Sequence, residues 1–156
     1  MKAAAAAILG ADRAGSPYAD AARPAADMLP APTLTKSPYD FGTSIARLDA
    51  AVGKRPLKVF AVIDHGGGAA TVGETLAPSR VLMICNPKSS TPFLQANAAF
   101  AQELPLRIAV FEEKGAVYIA APDIARLASA YGITSEQAPI TEVAELVADL
   151  LEETIG

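Results

Sequence analysis

Apolar and polar positions alternate along this chain with two distinct periods, and the changes of period mark its elements. Phe41, Ile45, Leu48 and Val52 recur at helical spacing behind Asp40, whose carboxylate suits a helix cap, and Gly53 stands where a left-handed end is favoured. The spacing predicts a helix from Phe41 to Val52. Leu57 to Ile63, rich in Val, Ile and Phe, predicts a strand that ends at Asp64-His65, where Gly66 to Gly68 halt it and a turn or short helix follows through Leu76. Pro78 introduces a second strand, Val81 to Cys85, closed by Asn86-Pro87. Thr91-Pro92 supplies a cap and first-turn pair for a helix carrying Phe93, Ala96 and Phe100, ending before Pro105. Leu106 to Phe111 and Ala116 to Ala121 predict an antiparallel hairpin across the four residues Glu112 to Gly115. Two amphipathic helices complete the pattern, Asp123 to Tyr131 and Ile140 to Ile155, the second with an acidic outer face.

Residues 1–33 break this regularity. The first 32 hold thirteen Ala and four Pro without a sustained period, so 1–33 are expected to form a flexible lead-in and 34–156 a single α+β domain. The basic start and short apolar run from Ala3 to Leu9 faintly match a signal peptide; the expected compartment is cytoplasmic, or periplasmic if that segment directs export. At 156 residues the chain has the length of one ordinary domain. A formal charge of -4 argues against nucleic acid as a partner, and no apolar run has the length of a membrane span. One Cys and one His exclude an internal disulfide and fall short of a zinc ligand set, so no metal is assigned, and the pattern names no cofactor.

The stretch Ile63-Asp64-His65, Pro78, Val81 to Ile84 with Asn86-Pro87-Lys88, Thr91-Pro92, Glu103-Leu104-Pro105-Leu106 and Val110-Phe111-Glu112 resembles the domain of unknown function 302 family. The likeness spans about residues 37 to 133, in the family's order and near its spacing. It implies a small bacterial or archaeal α+β domain of the TATA-binding-protein-like type, β-α-β-β-β-β-α with extra helices, in which an antiparallel sheet packs its helices on one face and dimers are common. It implies no established reaction. The chain departs from the family at Cys85, at Ser90 and around Ala120 to Asp123, so no role is carried over to those positions.

Two strand ends carry the candidate chemistry. Asp64 and His65 meet a glycine-rich turn, where backbone can approach a ligand and an imidazole can exchange a proton; turn capping by Asp64 is the plainer reading. Asn86 to Pro92 leads a strand into a helix, where free N–H groups and the Lys88 ammonium suit an anion, although ordinary capping looks the same. Cys85 reads as a buried inert thiol. Were its strand antiparallel to Leu57–Ile63, the thiol and His65 would lie roughly 15–20 Å apart, and only a parallel pairing would make them a dyad. Glu103, Glu112 and Glu113 form a conceivable carboxylate cluster, with a solvated hairpin tip as the simpler account of the last two. The leading expectation is a non-catalytic binding or sensor module in which Asp64, His65, Asn86 and Lys88 meet a small anionic or polar ligand, with no catalytic residue assigned. The rivals are an enzyme using His65 as acid or base, and a structural homodimer formed through the sheet face or the last helix.

Overall fold

The computed structural model describes residues 30–156, so the readings made on residues 1–29 lie outside it. Five strands form one antiparallel sheet: β1 (Thr33–Lys36), β2 (Lys58–Asp64), β3 (Ser79–Cys85), β4 (Leu106–Glu113) and β5 (Ala116–Ala121), in the order β1-β5-β4-β3-β2. The helices are α1 (Phe41–Gly53), α2 (His65–Thr71), α3 (Pro87–Ala96), α4 (Ile124–Ala130) and α5 (Ile140–Ile155), with a 3₁₀ turn over Ala98–Glu103. This is the expected α+β arrangement, with β1-α1-β2-β3-β4-β5-α5 as its frame and the remaining helices as additions.

Alternation along the strands decides which face is buried. Leu82 and Ile84 on β3, Ile108 and Val110 on β4, and Val117 and Ile119 on β5 point to the helices and join Leu48, Val52, Val147 and Leu150 in one core. Helix α1 packs on α5 and reaches β4. The other face carries Val81, Met83, Ala109, Phe111, Tyr118 and Ala120, which are half-buried. Strand β2 is the exception to the alternation: Val59, Phe60, Val62 and Ile63 are 42–51% exposed, so neither of its faces is covered by the described residues.

Sequence and structure part at four places. The short strand β1 has no signal of its own in the sequence; four residues pairing Thr33 with Ala121 through Lys36 with Tyr118 are too few to carry a period. Gly53 lies within α1, and its cap Lys54 is right-handed, so no left-handed residue ends that helix. The hairpin loop is Lys114-Gly115 alone, because Glu112 and Glu113 extend β4 to pair with Val117 and Ala116; both loop residues have positive φ, 51° and 74°, the twist a two-residue hairpin requires. Helix α3 starts at Pro87 behind Asn86, leaving Pro92 inside it, and stops at Ala96 because Asn97 turns extended and caps the 3₁₀ turn through Ala99 N.

The end of α5 is tied to α1 by charge. Arg47 donates to the carbonyls of Thr154 at 2.6 Å and Glu153 at 3.0 Å, satisfying acceptors that a helix C-terminus leaves open and placing a cation against its dipole. Lys54 and Arg55 pair with the Glu153 carboxylate and hold its pKa below the ordinary carboxylate value. Replacing Arg47 by Met keeps the stem and removes the donors. We expect Arg47→Met to lower the unfolding free energy by about 1–2 kcal/mol in urea titration, with the m-value unchanged.

Candidate functional site

The ladder between β2 and β3 sets the distances among the candidate residues. Its register runs antiparallel from Lys58 opposite Cys85 to Asp64 opposite Arg80, with an irregularity between Val59 and Ala61. Asp64 and His65 therefore stand at one end of the sheet, while Cys85, Asn86 and Lys88 stand at the other, about 20 Å away along the strands. Within one protomer the four expected ligand residues fall into two pairs. His65 and Cys85 do not form a dyad in this chain.

At the first end, Asp64 is the cap of α2. Its Oδ1 accepts from the Gly67 amide at 2.8 Å and its Oδ2 from the Arg80 guanidinium at 3.1 Å. The Gly67 amide first, and the Arg80 guanidinium second, hold the Asp64 carboxyl below its ordinary pKa. A Cβ at Gly67 would come within 3.2 Å of the Asp64 carboxylate, so the glycine keeps that approach open. His65 begins α2 and is exposed. Arg80 also leans over the Phe41 ring at 5.9 Å, fixing this end of the edge strand to the start of α1.

At the second end, Asn86 Oδ1 accepts from the Lys88 amide at 3.0 Å and the Asn86 carbonyl from the amides of Ser89 and Ser90. The asparagine is thus a helix cap, and the Lys88 side chain extends into solvent. Cys85 is buried. It lines, with Asn86, Ser89 and Phe93, a hollow of about 20 Å³, room for about one water molecule.

The carboxylate cluster imagined from Glu103, Glu112 and Glu113 does not exist. Glu103 precedes β4 and the other two end it, so the strand's length separates them. Glu103 is instead 9% exposed and anchors a buried polar network: the Tyr131 hydroxyl donates to its Oε1 at 2.6 Å, and Arg107 to its Oε2 at 3.2 Å. Asn97 joins by donating to the Tyr131 carbonyl at 2.9 Å. Burial, then the neighbouring Glu103 carboxylate, pushes the Tyr131 phenol up to about 12. Sequence reading missed this network. Its one local signal is the four-residue spacing of Glu103 and Arg107, which would belong to a surface helix, whereas the partner that makes the site buried lies far along the chain.

The model of the family described as Domain of unknown function DUF302 matches residues 34–154. The chain belongs to that family. The fold of this DUF302 domain is also that of the crystal structure of an uncharacterized conserved DUF302 protein from Bacillus stearothermophilus, with a TM-score of 0.69 and 18% identity, covering 78% of this chain and 96% of the other. Proteins named fluoride-specific ion channel FluC 1 are also similar. That of Brucella suis is 29% identical over 106 residues, covering 66% of this chain and 42% of its own. That of Brucella abortus is 29% identical over 106 residues, covering 39% of its own chain. The DUF302 chain thus spans about two fifths of the length of the curated relatives it matches. Among its described residues no helix is long and apolar enough to cross a membrane.

The Glu103–Tyr131 contact generates a pH prediction. A phenol whose folded pKa is raised contributes stability that is fully present below its unfolded value of 10.0 and is lost as pH rises through about 12. Tyr131→Phe should lose about 1–3 kcal/mol near neutral pH, because the Glu103 oxygen keeps its burial and loses its donor. The variant should also flatten the fall in melting temperature between roughly pH 10 and 12, measured by calorimetry.

Proposed function

We propose that this chain works as a self-associating interaction module, joined to a second copy along β2. The observation that carries the reading is the exposure of β2 on both faces and along its outer edge. A seven-residue strand with four large apolar side chains open to water is a template for pairing, and natural proteins cover or blunt such edges. Val72 and Leu76, 74% and 51% exposed in the connection to β3, extend the apolar surface beside it.

A second copy of the same strand fits this edge. A two-fold axis generates an antiparallel pair from two identical strands, and Lys58 and Asp64, at opposite ends of β2, then bring opposite charges to each end of the pair. The irregularity near Phe60 in the ladder to β3 bends the edge strand, a device that favours one closed partner over open-ended addition. The last helix is less suited to the task, because Val143, Val147 and Leu150 are already buried within the chain. The likeness of the channel-named proteins over a minority of their length supports a portable module, and the activity in their name is not assigned to this chain.

Such pairing also supplies a place for a small anionic or polar ligand. Two-fold pairing sets the Asp64 and His65 end of one copy beside the Lys58 end of the other, with Asn86 and Lys88 one strand further, about 10 Å across. The four residues expected from sequence to share a ligand would then meet between copies. Enzymatic use of His65 gains no support from its surroundings, because among the described residues no side chain orients the exposed imidazole.

Light scattering after size exclusion should give twice the chain mass at roughly 0.1 mM, and Val62→Lys with Ile63→Lys should give the monomer with an unchanged circular dichroism spectrum. A wild-type monomer under those conditions would reject the module reading.

A further inference from the structure

A hollow of about 280 Å³ opens where β4 begins and β5 ends, two strands away from the edge discussed above. Ala109, Ala120 and Leu127 give it an apolar wall, and Arg107, Glu103 and Asp123 give it charges of both signs. It is smaller than the cavities that take drug-sized ligands, about 300–1,000 Å³, and suits a compact metabolite.

The three charges differ in what they have left to offer. Glu103 uses one oxygen for the Tyr131 hydroxyl and the other for Arg107. Arg107 uses one terminal nitrogen for Glu103, at 3.2 Å, and its side chain is 54% exposed; a guanidinium carries five N–H donors, so most remain for a ligand. Asp123 gives Oδ1 to the Arg126 amide at 3.0 Å as the cap of α4, and its Oδ2 accepts no hydrogen bond among the described residues. One cation with spare donors and one carboxylate with a spare oxygen therefore border the same partly apolar hollow.

We propose that this hollow binds a free aliphatic amino acid, its carboxylate on the Arg107 guanidinium, its ammonium on Asp123 Oδ2 and its side chain against Ala109, Ala120 and Leu127. A ligand of a single charge fits less well. A simple anion meets the carboxylates of Glu103 and Asp123, and a simple amine leaves Arg107 unaddressed. A zwitterion matches both, and charge-assisted hydrogen bonds reward the match. The hollow uses no residue of β2, so the proposal stands or falls separately from self-association.

Calorimetric titration of the full chain with leucine, valine and methionine tests it, alongside leucinamide and N-acetylleucine, which each keep the side chain and remove one charge. Saturable binding of at least one amino acid is expected, with the two blocked forms of leucine weaker than leucine by about tenfold or more. Asp123→Asn keeps the helix cap and removes the charge, and Arg107→Gln removes the cation; each should weaken binding to a similar degree. Amide shifts confined to Ala109, Ala120 and residues around Asp123 should report the location in nuclear magnetic resonance titrations. No saturable binding of the three amino acids, equal binding of leucinamide, or binding untouched by Asp123→Asn would overturn the proposal.

Discussion

The helix layer is narrower than the sheet it covers, and the rest of the molecule follows from that mismatch. Leu82, Ile84, Ile108, Val110, Val117 and Ile119 supply a buried stripe three strands wide, and α1 and α5 close over it. Burying such side chains is worth about 1.5–3 kcal/mol each before entropy is charged against it, so the three strands and two helices form the stable unit. Strand β2 gains no such cover. It is held by its ladder to β3 and by the Asp64–Arg80 pair at its end, and its apolar side chains stay uncovered among the described residues.

The same mismatch separates the polar groups by role. Asp64 and Asn86 look like ligand residues because each ends an apolar strand before a turn, and each is in fact the cap of the helix that follows. A cap and an anion-binding cradle use the same backbone N–H groups, so local sequence does not distinguish them. Glu103 presents the converse case. Its buried carboxylate is satisfied by Tyr131, 28 residues along the chain, and its charge by Arg107, and this network closes the end of the sheet where the mixed-charge hollow lies.

Where period carries the information, the sequence is legible to the residue: α5 at 140–155 and β5 at 116–121 coincide with their expected bounds, and α1 starts at the expected Phe41 while running one residue further, through Gly53. Those elements each bury one stripe, so their pattern is strong. The misplaced start of α3 has a different cause. Thr91-Pro92 and Asn86-Pro87 are both acceptable helix openings, and the choice fell to Asn86 because its carbonyl and side chain together take the first N–H groups, while Pro92 costs only one internal bond. Strand β1 is set by pairing with β5, information that four residues cannot carry alone.

Strand β2 shows where such reading stops in principle. Its run of Val, Phe, Ala, Val and Ile has the composition of a strand buried on both faces, which in a larger sheet it would be. Composition of that kind records that the surfaces are to be covered and is silent about whether the cover lies in the same chain. In this fold the sheet order leaves β2 at the margin, where its large apolar side chains stay exposed. A strand with a core's composition at the margin of a domain is therefore information about a further covering segment, and it becomes readable only when topology shows that the described residues do not supply the cover.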